Sequence, residues 1–526
     1  MADQSAGARG APDPRALRHR FPANPTASVS GRVIPLPGPV WLIAASMAVV
    51  LLSFANDYGF NRDELYFVLA GRHPDFGYVD QPPLTPLISA AEAALFGLSP
   101  LALRVAPAIT AAAGVVLSAD IARRLGASRT AQVLTALVVA ISGWLAVGHV
   151  DETTTYDILF WTLALWLLVP LLDDRARNSS ADRRRWVALG LVGGLALENK
   201  TLAIALPLTV GASLLLLRRW DVLGSRWAWL AATLAAVIWA PNVAWQIMHG
   251  FPQIHMAQRI AAEQVGLAGR VTQLIDALLL AGPLLFPVAI AGVIWLLRAR
   301  ESRPWRALGI AVLLQLALML VVGGKSYYSA GYLLLAIAAG AIPLSRWLER
   351  GRRRLRRGAF GVAALVSGAT MAIVGLPLVP VTQLHATRIP ADNPDVIGQV
   401  GWPQLAAQVS AVVDTLPPAQ RANAVIITEN YSQYSALTLL GSHLPPVYSG
   451  SNSAYDWGRP ADGAGPVIVV GYPAEDVEAD RPDCHVVATV DNGYGLPTIE
   501  QGDPILLCAA PLRPWSELWP ELRHLD

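Results

Sequence analysis

Apolar residues recur along the first 380 positions in blocks near the length that crosses a bilayer, about 20 residues. The blocks predict eleven spanning helices, at roughly 40–57, 101–122, 130–148, 155–172, 186–197, 201–217, 227–245, 273–297, 307–322, 330–345 and 359–380. The fifth is short and reads as a broken helix. No internal repeat is visible. The first block follows 39 mostly polar residues and has no small-residue cleavage pattern behind it, so it is expected to be an uncleaved span and not a signal peptide. The connection after it carries two more helical patterns, near 63–71 and 84–97, amphipathic enough to lie along a membrane surface. Beyond residue 381 the pattern changes. Short β-rich runs at 424–428, 466–471, 485–490 and 505–508 alternate with Gly/Pro-rich turns and a helix-like stretch near 432–440. The expected architecture is an all-α polytopic membrane domain over 40–381, followed by a small α/β domain over 382–526. Residues 1–39 are expected to be a disordered tail.

Composition narrows the class. Of 526 residues, 54% are hydrophobic and 15% charged, against about 25% charge in a soluble domain. That excludes a single water-soluble globule and an intrinsically disordered chain. The net charge of +2 gives no sign of a nucleic-acid partner. Arginine and lysine set orientation. The tail and the alternate connections on its side hold 27 of the 40 basic residues, and the opposite connections up to residue 381 hold seven. This places the N-terminus in the cytoplasm, and an odd number of spans places 382–526 outside it. In an oxidising compartment Cys484 and Cys508 form a disulfide; the alternative is two buried thiols.

The chemistry-bearing residues gather on the outer side. They include Asn61-Arg62-Asp63-Glu64-Leu65-Tyr66 and Asp80-Gln81 in the first connection, and His149 to Asp157 between spans three and four. Lys200, Trp245, His249, Lys325, Tyr327 and Tyr328 lie in later connections on the same side. Ionisable groups at a membrane boundary are expensive and often mark a functional path. Only two of the 40 basic residues are lysines, Lys200 and Lys325, and both fall here. A lysine is a compact point charge suited to a phosphate. Each group also has a plainer reading. Asp63 and Glu64 suit the first turn of a helix, and the lysines suit snorkelling span ends. Asp151-Glu152 suits a solvated acidic loop, the histidines an interface, and the aromatic residues a membrane belt.

The strings RDELYF (62–67), GYVDQPPL (77–84), ENKT (198–201), PNVAWQIMHGFP (241–252) and KSYYSAGYLLLAIAAGA (325–341), with Asp157 at the start of span four, carry a resemblance. Over roughly 40–345 the chain resembles polytopic glycosyltransferases of the GT-C type. These comprise the protein O-mannosyltransferases and their bacterial relatives, including the aminoarabinose transferases acting on lipid A and the rhizobial lipopolysaccharide sugar transferases. The resemblance implies inverting transfer of one sugar from a polyprenyl-phosphate carrier to a lipid, glycan or protein acceptor outside the cytoplasm. No soluble domain is inserted between spans, unlike the eukaryotic O-mannosyltransferases, which weighs against a protein acceptor. In that reading Asp63 is the general base, Glu64 positions it, and Asp157 is a second carboxylate. Lys200, Lys325, Tyr327, Tyr328 and His249 hold the donor phosphate, and Arg62, Tyr66, Asp80 and Gln81 line the substrate site. No cofactor is implied with certainty, and a divalent metal stays open. Two other readings compete: a transporter or flippase, which favours midplane charges and inverted repeats, and a membrane-anchored sensor, for which eleven spans are far more than an anchor requires.

Overall fold

The computed structural model describes residues 35–173, 179–263 and 266–526. Most of the expected N-terminal tail, residues 1–34, and part of the arginine-rich loop 173–185 lie outside the described residues. Leu36–Asp526 form one compact unit.

Each expected span has a helical counterpart. Among the described residues, six helices are long and apolar enough to cross a membrane: Pro100–Arg124, Thr153–Leu172, Arg226–Met248, Arg303–Val322, Ser326–Glu349 and Arg353–Gly375. Helices Gly38–Ser53, Arg129–Ala140, Thr201–Leu216 and Phe286–Arg298 are shorter. Helix Ser180–Asn199 has the length but carries Asp182 and three arginines in its first turns. The expected single span 273–297 is two helices, Gly266–Leu279 and Phe286–Arg298. Gly282, at φ +100°, followed by Pro283, makes the break.

Helix Ala330–Glu349 is the axis of the bundle, with Leu335, Ile337, Ala338, Ala339 and Ala341 fully buried. Small residues let its neighbours approach. A Cβ on Gly292 would meet the carbonyl of Ala336, and one on Gly340 the carbonyl of Val288, the close crossing that membrane helices build from small side chains.

After the bundle comes a five-stranded sheet: β1 (Val425–Thr428), β2 (Val447–Ser449), β3 (Val467–Val470), β4 (His485–Thr489) and β5 (Pro504–Cys508), in the order β2-β1-β3-β5-β4. β1 pairs parallel with β2 and β3, while β5 runs antiparallel between β3 and β4. Alternation along the strands sends their side chains to two faces. Ile426, Ile468 and Val470 pack on helices Trp402–Thr415 and Tyr431–Leu440. Val425, Ile427, Val467 and Val469 pack with Trp515 and Trp519. β2 escaped the sequence reading because it has three residues and no apolar run. Cys484 and Cys508 are joined as a disulfide beside β4 and β5. Helix Arg62–Arg72, from the first connection, also enters this region: Leu65 is buried in the same cluster as Trp402, Leu405 and Ile505.

Candidate active site

The site starts at the N-terminus of helix Arg62–Arg72, where the first N–H groups lack helical partners. Asn61 and Glu64 form a capping box. The Asn61 side chain accepts from the Asp63 N–H at 2.9 Å, and Glu64 Oε2 accepts from the Asn61 N–H at 2.7 Å. Glu64 is fully buried, and Arg104 donates to it twice, Nε to Oε1 at 2.8 Å and Nη2 to Oε2 at 3.0 Å. The Asp151 N–H donates to Oε1 at 3.0 Å. Arg104 spends its remaining donors on the carbonyls of Ala55 and Gly59 and on Gln399. With both oxygens engaged, Glu64 is a clamp on the helix start and has no free edge for substrate.

Because Glu64 and Asn61 do the capping, the Asp63 side chain is left for other work. It is 30% exposed, lies 3.8 Å from Arg62 Nε, and accepts a 2.8 Å hydrogen bond from the hydroxyl of Tyr431. Tyr431 begins the helix that follows β1, so its partner is 368 residues away in sequence. Its ring lies 4.8 Å from that of Tyr66, which in turn stacks on Trp457 at 5.7 Å. The Tyr66 hydroxyl donates to Asp80 Oδ1 at 3.1 Å. Burial pushes the Asp80 carboxyl up to about 7, and nearby Asp63 adds to the rise.

Two further carboxylates face Asp63. Glu152, the residue before helix Thr153–Leu172, is pushed up to about 8 by burial and by the charges of Asp395 and Asp63. Asp395 is raised by burial and by Asp63. Asp151 is wholly buried and accepts from Ser89 Oγ at 2.5 Å and from the Tyr156 hydroxyl at 2.7 Å. The solvated-loop reading of Asp151-Glu152 is therefore corrected: Asp151 is a core acid, and Glu152 sits among the charges of Asp395, Asp63, Lys200 and Arg62.

Lys200 closes helix Ser180–Asn199. Asn199 before it is fixed by Thr85 (2.6 Å) and by the Thr153 carbonyl (2.9 Å). Lys200 Nζ donates to Thr154 Oγ1 at 3.1 Å and stands 5.1 and 5.3 Å from the ring centres of Tyr327 and Tyr328. Burial lowers its pKa, opposed by Asp157 and Glu152, and the like charge of Lys325 lowers it further. Lys325 follows Gly323-Gly324, both at positive φ (83° and 147°), a turn that glycine alone adopts freely. The structure thus brings together Arg62, Asp63, Tyr66, Asp80, Asp157, Lys200, Lys325, Tyr327 and Tyr328.

Asp157 belongs to that group through Lys200, while His249 and Gln81 have other partners or none among the described residues. Asp157 faces Lys200 and accepts from Trp161 Nε1 at 3.0 Å. His249 is exposed, stacks on Trp245 at 4.0 Å and shares a 2.8 Å hydrogen bond with the Trp245 carbonyl. Asp456 feels its charge. Gln81 is buried, and its Nε2 has no partner among the described residues. Among the described residues, no group of three or more histidines, cysteines and acids is placed to hold a metal ion. Sequence reasoning missed Tyr431, Glu152, Asp395 and Arg104. For Tyr431 a signal existed: it opens a helix at the carboxyl end of a parallel strand, the position where α/β proteins meet ligands.

A helical bundle followed by an α/β region, with acids and two lysines brought together, is a fold found in solved GT-C-type membrane glycosyltransferases. The structure of ArnT from Cupriavidus metallidurans bound to undecaprenyl phosphate shares it, with a TM-score of 0.61 at 16% identity over 90% of this chain and 98% of that one. Its apo form gives 0.58 at 15% identity, covering 89% and 97%. The arabinofuranosyltransferase AftD from Mycobacteria gives 0.51 at 15% identity, over 91% of this chain and 40% of that one. Residues 80–245 match the family described as dolichyl-phosphate-mannose-protein mannosyltransferase. The chain thus shares the fold of these transferases, and its long apolar helices are of the kind that cross a membrane. No protein of curated function matches its sequence.

Proposed function

We propose that this protein transfers a single sugar, with inversion, from a polyprenyl-phosphate donor to a cell-envelope acceptor at the extracytoplasmic membrane face. Residues 40–381 would form the transferase domain and 382–526 an extracytoplasmic α/β domain. The observation that carries the reading is the placement of an accessible carboxylate, Asp63, within electrostatic reach of a paired Lys200 and Lys325. Two ammonium groups sharing a cleft repel each other, and a phosphate between them relieves that repulsion. In the reaction Asp63 takes the proton of the acceptor hydroxyl as its oxygen bonds to the anomeric carbon. The bond from that carbon to the phosphate oxygen breaks, and the electron pair leaves on the lipid phosphate. Lys200 and Lys325 stabilise the charge that develops there, and the Tyr327 and Tyr328 hydroxyls donate to it. One displacement with one base inverts the centre. Tyr66, Asp80 and Arg62 form the wall beside the sugar. The ArnT structure was obtained with undecaprenyl phosphate, a ligand of the class this lysine pair suits.

The test compares envelope glycans and lipids by mass spectrometry in cells with the protein, without it, and with Asp63→Asn. One sugar increment should vanish in the last two, while the variant remains folded and inserted. Normal transfer by Asp63→Asn removes Asp63 from the role of base.

A further inference from the structure

The Tyr431 hydroxyl reaches Asp63 from a rigid platform. Its helix, Tyr431–Leu440, is capped by Asn430, whose side chain accepts from the Gln433 N–H at 2.8 Å. Gln433 is fully buried and donates to Asp503 at 2.8 Å. The ring of Tyr431 is packed on Tyr66, and Tyr66 is itself 1% exposed. At the other end of the bond, the Asp63 helix is clamped by the Glu64–Arg104 pair and sewn to the C-terminal region. The Arg62 N–H donates to the Gly398 carbonyl at 3.1 Å, and the Val79 N–H donates to Ser453 Oγ at 3.0 Å. Both partners of the 2.8 Å bond are therefore fixed in place.

That bond occupies Oδ1. Among the described residues, Asp63 Oδ2 has no hydrogen-bond donor. A general base needs one oxygen aimed within hydrogen-bond reach of the proton it removes, about 2.6–3.2 Å. An aspartate free to turn about χ1 and χ2 spreads its two oxygens over several directions. A fixed dipole on one oxygen removes that freedom at no reorganisation cost during reaction.

We propose that Tyr431 is a positioning residue for sugar transfer: its hydroxyl holds Asp63 Oδ1 so that Oδ2 faces the incoming acceptor hydroxyl. Tyr431 keeps its own proton throughout. The inference rests on Asp63 being the base, and it makes the C-terminal α/β region a working part of the transferase.

The test uses full-length protein in lipid nanodiscs, supplied with envelope membranes from cells lacking it as the source of donor and acceptor. Turnover is counted per monodisperse, folded molecule, so a folding defect does not mimic the effect. Tyr431→Phe keeps the ring on Tyr66 and removes only the hydroxyl. Losing a hydrogen bond to a charged group should cut kcat about ten- to a hundredfold, with KM for the lipid donor and thermal stability little changed. Asp63→Asn is run alongside. If Asp63→Asn is inactive and Tyr431→Phe turns over at the wild-type rate, the positioning role is overturned and the base survives. If Asp63→Asn turns over normally, the base reading itself is lost. A fall in Tyr431→Phe through KM and melting temperature alone would also overturn the proposal, by assigning Tyr431 to packing.

Discussion

Arg104 grips both carboxylate oxygens of Glu64, at 2.8 and 3.0 Å, with the two side chains 1% and 0% exposed. Removing one partner of such a buried pair strands the other charge and costs about 3–5 kcal/mol. Arg104→Met and Glu64→Gln are expected to lower the melting temperature of the purified protein by many degrees. Asp63→Asn, one residue away and partly exposed, should leave it nearly unchanged. Equal destabilisation by all three would show that the clamp and the proposed base are not separate.

Lys200 and Lys325 stand close enough to repel each other, and single substitutions test whether both hold a phosphate. Lys200→Met or Lys325→Met should weaken binding of undecaprenyl phosphate, used as the probe, by about ten- to a hundredfold, the worth of one charge-assisted contact. His249→Ala should leave that affinity unchanged, because its partners are Trp245 and Asp456. A large loss in His249→Ala would return it to the phosphate.

Stability should decline with rising pH. Burial raises Asp80, Asp151 and Glu500 to about 7 and Glu152 to about 8, above the ordinary carboxylate value near 4. The folded state therefore binds more protons than the unfolded one between pH 4 and 8. The sign follows: these groups contribute stability that is full below about pH 4 and is lost as pH rises through 7 to 8. Thermal melts from pH 5 to 9 should show a falling midpoint, and Asp80→Asn should flatten the slope. A midpoint that climbs over this range would contradict the protonated cluster.

Much of this architecture can be read from sequence because apolar blocks and arginine loops respond to the bilayer itself. The break at Gly282-Pro283 and the three-residue strand β2 were harder, since neither disturbs hydrophobic periodicity enough to register. In the cleft, residues clustered in short motifs, such as Arg62, Asp63 and Lys200, stand out locally. Arg104 lies in no such motif, and Glu152 reads as a solvated acid. Their roles depend on partners 40 positions away, as with Arg104 and Glu64, or 243, as with Glu152 and Asp395. Tyr431 is the extreme case, because its partner lies in another region of the fold.

The Cys484–Cys508 link closes a 24-residue separation between the entry to β4 and the end of β5. Cys508→Ser should cost about 2–4 kcal/mol in unfolding stability, read by melts with and without reductant. No response of the wild-type protein to reductant would show that the link is dispensable.

Leu65 shares one apolar cluster with Trp402, Ile426 and Ile505, which has a consequence for biosynthesis. The helix carrying Asp63 is synthesised early, whereas Ile505 of β5, which shares its apolar cluster, comes near the end of the chain. A chain that stops before β5 therefore leaves Leu65 without part of its cover.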